Sequence, residues 1–275
     1  MIAITKNDLE ALVPVLTYPT DDLADKVLSQ VPIVFDALCN QLLSTSGEAA
    51  LEHRQDLLLA VKKLTCLDAL VSIFAQMDLV ATPTGFGVVS NQDTAPASSA
   101  RVNALKDEVL TQRVYVANEV TDLLTRVSGW GDTPQAATAV SLVFRKIMYL
   151  QTYCGMYAYS HKDWNSAQND IFEADTIMRR NIGDAMMDTT LEKIRHGESE
   201  PYTTLIQHMN FFTAAVIMKN VSVKRYHLLR LIREVEDPLK ANGIYKPYFD
   251  SDAFKANHYE HRRNKKDEAG FVFGR

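Results

Sequence analysis

Apolar residues recur along this chain at steps of three, four and seven, the spacing of one buried stripe on a helix. A short helix is predicted at about residues 6–13. A second segment opens at Thr20-Asp21-Asp22, an N-cap followed by acidic first-turn residues, and runs to about Leu43, with Pro32 expected to break or kink it. From about Glu48 to Leu79, Leu51, Leu58, Val61, Leu64, Leu67, Val71, Phe74 and Met77 mark one long helix that ends before Thr82-Pro83. Val102, Leu105, Val109, Val116, Val120, Leu123 and Val127 mark another, from Arg101 to about Ser128, closed by Gly129 to Gly131.

Thr133-Pro134 is a good N-cap and N1 pair. The stretch from Val140 to Tyr157 mixes β-branched and aromatic residues and is read as helix. Trp164, Ala167, Ile171, Ala174, Met178, Ile182 and Met186 predict one helix reaching His196, with Gly197 as its C′ residue. A last helical stretch, interrupted or continuous, is expected from Pro201 to Glu236. The fold class is therefore all-α, a bundle of long helices. Residues 81–100 carry two glycines, two prolines and several small polar residues, and form one long ordered loop with a short strand at Phe86 to Val89.

Composition agrees. Glycine (11) and proline (9) together fall below the usual share, and 47% hydrophobic residues are enough for a core. A net charge of −5 argues against a dedicated nucleic-acid or anionic-membrane binder. The three cysteines, Cys39, Cys66 and Cys154, are far apart and form no CxxC pair, so neither a disulfide framework nor a zinc site is expected. No uninterrupted apolar stretch of 18 residues occurs, and the first 16 residues carry Lys6, Asp8 and Glu10, so neither a membrane span nor a signal peptide is predicted and cytoplasmic synthesis is expected.

The domain division read from the sequence is a helical domain, 1–237, and an extended C-terminal arm, 238–275. Two halves of the domain, about 1–128 and 133–237, echo each other faintly. Ala24-Asp25 with Asp36-Ala37 recurs as Ala174-Asp175 with Asp184-Ala185, which leaves a duplication open. The arm carries eight basic and five acidic residues and seven aromatics, among them Tyr245, Tyr248, Phe249, Phe254, Phe271 and Phe273. So many aromatics have to pack on something, either the arm's own domain or a neighbouring subunit.

Candidate chemistry is sparse. Gly85-Phe86-Gly87 lacks the third glycine and the following helix of a phosphate cradle and is read as a turn. There is no GxSxG elbow, no HExxH pair and no ExxH pair on the long helices. His258 and His261 flank Glu260 at metal-compatible spacing, but in a charged segment beside Arg262 and Arg263. His208 and His227 lie near apolar stripes and are read as hydrogen-bonded core or interface groups. Lys224, Arg225, Arg230 and Arg233 line a basic helix face that defaults to solvated charge. No catalytic residue, cofactor or metal site is assigned, and the chain is read as a non-enzyme.

The segment GlyPheGlyValValSerAsn (85–91), with AlaProAlaSer (95–98) and the helix start Arg101, Val102 and Leu105, resembles a family of virion proteins from tailed bacteriophages and prophages of gut bacteria. SerLeuValPhe (141–144), Met148, Leu150 and Tyr153-Cys154-Gly155 form a second similar element. The resemblance implies a neck or head–tail connector (adaptor) protein. Its α-helical subunits form a ring, commonly of twelve copies, between portal and tail, assembled in the host cytoplasm and located in the virion.

Its implied partners are further copies of itself, the portal and adjacent neck or tail proteins. Twelve copies at net −5 carry about −60 charges, so packaged DNA can pass without being gripped, and no membrane is involved. The expected contact residues are Gly85, Phe86, Val88, Val89, Asn91, Pro96 and Arg101 in the loop, with Tyr245, Tyr248, Phe249, Phe254, Phe271 and Phe273 in the arm. The alternative is a non-enzymatic helical scaffold or regulatory module that binds a protein partner.

Overall fold

A computed structural model describes residues 2–13, 21–77, 80–82, 85–87 and 99–258. The fold is an all-α bundle. Helix α1 (Lys6–Leu12) starts in a capping box: Thr5 Oγ1 accepts from the Asp8 amide, and the Asp8 carboxylate accepts from the Thr5 amide at 2.8 Å. Helix α2 (Asp21–Leu38) is amphipathic. Val27, Val31 and Phe35 face the core, while Asp25, Ser29, Ile33 and Asp36 face outward. Pro32 sits inside it on the exposed side and does not end it.

The chain then widens into a π turn (Cys39–Leu43), closed by the Ser44 amide on the Cys39 carbonyl, and Ser44 takes φ 59°. Helix α3 (Ser44–Ala50) follows. By length and composition alone the helical run 23–50 is apolar enough to cross a membrane, but its buried side is the face packed on the next long helix.

The single helix expected from Glu48 to Leu79 is two. The chain turns at residues 51–54, and helix α4 (Gln55–Met77) begins after it. The apolar stripe runs through the break because both pieces pack on the same core. Strands β1 (Val80–Thr82) and β2 (Gly85–Gly87) form an antiparallel hairpin that pairs Ala81 with Phe86, while Val88 and Val89 of the expected strand lie outside the described residues. Helix α5 (Ser99–Leu124) packs along α4.

Helix α6 (Pro134–Ala139) begins as expected, with Thr133 Oγ1 accepting from the Ala136 amide. The helix expected through residues 140–157 does not form. Only one turn, α7 (Tyr149–Thr152), lies in an irregular strap across α5. Asn118 of α5 serves the backbone that a helix would have served itself: its amide donates to the Arg145 carbonyl at 3.2 Å, and its oxygen accepts from the Ile147 amide at 2.9 Å. Arg145 and Lys146 both reach Asp122. Beneath the strap, Phe144, Ile147, Leu150, Ala167 and Ile171 form a small satellite core.

The helix expected from Trp164 to His196 is also two, α8 (His161–Ile182) and α9 (Asp184–Arg195), joined at Gly183 with φ 86°. A Cβ there would meet Ser251 Cβ at 2.8 Å. Gly197 takes φ 67° past the end of α9, as expected of a C′ residue. After a 3₁₀ turn (Glu200–Tyr202), α10 (Thr203–Ile217) and α11 (Val221–Val235) form a helical hairpin.

Residues 238–258 are not an extended arm. A 3₁₀ turn (Pro238–Lys240), α12 (Lys246–Phe249) and α13 (Asp252–Asn257) fold back onto the bundle, and Tyr245 and Tyr248 are fully buried in the main core. That core also crosses the proposed division into halves. It joins Leu57, Leu64 and Leu124 to Met186, Leu205 and Phe212, and the Trp130 indole donates to the Leu42 carbonyl at 2.8 Å. The repeated dipeptides do not occupy equivalent places: Ala24 to Ala37 all lie on α2, whereas Ala174-Asp175 and Asp184-Ala185 straddle the break at Gly183.

Candidate interaction surface

Of the expected contact residues, Val88, Val89, Asn91, Pro96, Phe271 and Phe273 lie outside the described residues. Gly85 and Phe86 are in β2, and Arg101 is exposed on the first turn of α5. Tyr245 and Tyr248 are corrected as contact residues, because they are fully buried in the chain's own core, and Phe249 and Phe254 pack against that core while staying partly exposed.

Hydrogen bonds hold that segment in place. Tyr245 Oη donates to Glu234 at 2.6 Å, Lys240 reaches the same carboxylate at 2.6 Å, and Tyr248 Oη donates to Glu236 at 2.9 Å. Burial pushes the Tyr245 and Tyr248 phenols up, and their carboxylate partners push them further. Burial also pushes Glu234 up, but the bonds from Lys240 and Tyr245 outweigh it and hold its carboxyl below the ordinary value.

His258 stacks on Phe254 at 4.2 Å and lies 3.6 Å from Glu236, which spends it within the fold; Glu260 and His261 lie outside the described residues. Among the described residues no group of three or more His, Cys, Asp or Glu side chains is placed to hold a metal. A groove of about 910 Å³ runs between the α8–α9 elbow and α13. One of its cations, Arg179, is occupied by Asp175, Asp184 and Asp188. The thiols of Cys66 and Cys154 are buried and pushed up to about 12 and about 11, which leaves them unreactive at neutral pH.

The surface that stands out is the outer side of α11. Leu231 and Val235 fix its inner side in the core, which turns Arg225, Tyr226, Leu229, Arg230 and Arg233 outward. Tyr226 and Leu229 are about half exposed, at 52% and 47%. From Lys219 to Arg233 there are five cations and no acidic residue. Lys224 leans to Glu173 of α8 at 3.3 Å. Arg230 lies over the Tyr226 ring at 5.3 Å and donates to its hydroxyl at 3.1 Å. No carboxylate lies within ion-pair distance of Arg225 or Arg233 among the described residues.

Sequence reading picked out the basic residues of this face but not Tyr226 and Leu229, since an apolar residue on a helix is first assigned to the core. The usable signal was the run of cations without an acid. Behind the face, the Nδ1 atoms of His208 and His227 have no hydrogen-bond partner, contrary to expectation, and His227 stacks on Phe211 at 5.0 Å. Burial lowers both imidazoles below their ordinary 6.5, helped for His227 by His208 and Arg230.

A second exposed feature lies on α2, where Ile33 is 67% exposed between Ser29 and Asp36. Asp36 and Glu48 of α3 crowd Cys39. Burial and these two carboxylates push its thiol up to about 11. A groove of about 360 Å³ adjoins, lined by Val34, Ala37, Leu64, Ala117 and Ala139 and also by Gln41, Thr138 and the Asp68–Arg113 ion pair.

Residues 12–140, slightly under half of the chain, match a family model described as a family of unknown function (DUF6712). No curated protein and no solved structure matches the chain. The matched stretch takes in α2 to α6 and stops where the strap begins.

Proposed function

We propose that this chain is a structural subunit of a tailed-phage virion. It forms a ring in the neck between portal and tail and acts as a head–tail connector by contact rather than by catalysis. The resemblance of residues 85–105 and 141–155 supplies that setting, and the outer face of α11 carries the argument for contact. A helix that leaves Tyr226 and Leu229 half exposed beside Arg225 and Arg233, which have no carboxylate within ion-pair distance among the described residues, offers an apolar centre with a charged rim, the composition of a protein interface.

Electron microscopy of the concentrated protein, alone and with a tailed-phage portal protein, tests this reading. Closed rings, or a symmetric complex with the portal, are the expected result. A protein that stays monomeric and ignores the portal overturns it.

A second reading is a helical scaffold or regulatory module that binds a protein partner. The groove between α2, α4, α5 and α6 favours it, since its lining sets apolar side chains beside the Asp68–Arg113 pair, a mix that suits an amphipathic partner segment. That reading predicts a small stoichiometric complex without ring symmetry.

A further inference from the structure

The two exposed surfaces differ in charge. Residues 219–233 bring five cations and no acid, whereas residues 25–52, from α2 through the π turn and α3 into the turn after it, bring four acids, Asp25, Asp36, Glu48 and Glu52, and one base. All four acids are exposed, and Asp36, Glu48 and Glu52 have no cation within ion-pair distance among the described residues. Each surface carries an uncovered apolar residue, Leu229 on α11 and Ile33 on α2.

Their positions matter as much as their charge. Helix α2 packs on α4, α4 on α5 and α5 on α8, and α10 and α11 both pack on α8, so the two surfaces lie on different parts of the bundle. Two different complementary surfaces on one subunit make a heterologous contact, which closes into a ring when the rotation between copies allows.

We propose that the α11 face of one copy docks on the α2–α3 face of the next. Leu229 and Tyr226 meet Ile33, and Arg225, Arg230 and Arg233 meet Asp36, Glu48 and Glu52. This rests on the connector reading and names the surfaces through which its ring closes. A second copy is favoured over nucleic acid because the centre of the α11 face is apolar, and phosphates offer Leu229 nothing to bury against.

The test is a charge swap, read as molar mass by light scattering at low and high salt. Variant one is Arg230→Glu with Arg233→Glu; variant two is Asp36→Lys with Glu48→Lys. Each alone is expected to weaken self-association at least about tenfold. Mixed in equal amounts, the two restore it, because every contact in an alternating assembly is again between opposite charges. Circular dichroism should show unchanged unfolding, since all four positions are exposed; if either variant misfolds, Leu229→Ser replaces it, with the same loss of mass expected.

Self-association of the wild type that neither variant weakens, or that the mixture fails to restore, overturns this docking and leaves the connector reading standing. So does a wild type that is monomeric alone yet binds portal, or an α11 variant that loses only retention of DNA. A wild type that neither self-associates nor binds portal removes the connector reading as well.

Discussion

Glu234 and Glu236 close α11 as a pair of acceptors, and Tyr245 and Tyr248 return to meet them. Each tyrosine buries a whole ring and satisfies its hydroxyl on a carboxylate. Tyr248→Ala should therefore cost about 3–5 kcal/mol in urea unfolding. Tyr245→Phe keeps the ring and leaves Glu234 with Lys240, so about 1–2 kcal/mol is expected.

His208 and His227 govern a separate pH window. Their pKa values lie below 6.5 in the folded chain, so the unfolded chain takes up their protons first. Stability is fully present at neutral pH and falls as pH drops below about 6.5 toward the folded-state values. Glu234, held below its ordinary 4.5, gives up its contribution only at more acidic pH. Urea midpoints measured between pH 7.5 and 5.5 should fall in the wild type and flatten in His208→Gln/His227→Gln; a wild type with a flat profile refutes the assignment.

At the scale of elements, local signals were legible and long-range ones were not. Thr133-Pro134 and Gly197 act through bonds to their own neighbours, so their cap roles could be read from adjacent residues. The breaks at residues 51–54 and Gly183 were invisible to periodicity because the apolar stripe runs on through them into the same core. The strap at 140–160 was misread because its backbone partner is Asn118, more than twenty residues away.

Gly183 permits the α8–α9 break and the close approach of Ser251. Gly183→Ala should thus destabilise by more than about 1 kcal/mol, through both the positive φ and the Cβ contact. Thermal unfolding followed by circular dichroism checks this, and an unchanged midpoint would contradict it.

For the whole molecule, one main core joins residues from α1 to α12 and crosses the end of the family match at residue 140. The full chain is expected to unfold in one cooperative transition. A fragment of residues 1–140 lacks the part of the main core that Met186, Leu205 and Phe212 supply, and should show little stable helix by circular dichroism. Truncation after residue 237 removes Tyr245 and Tyr248 from the core, so loss of assembly in that variant would report unfolding before it reported a lost contact.

Helical class, caps and the positions of most core residues were determined by the sequence alone, because 3.6-residue periodicity and side chains that bond to nearby amides act over one or two turns. The α11 cations could be read there too. Only the tertiary structure decided that the aromatic tail segment through residue 258 belongs to the bundle, and that Leu229 and Ile33 stay uncovered. Those outcomes depend on which side of each helix finds a neighbour, and burial between distant segments leaves no local mark in the chain.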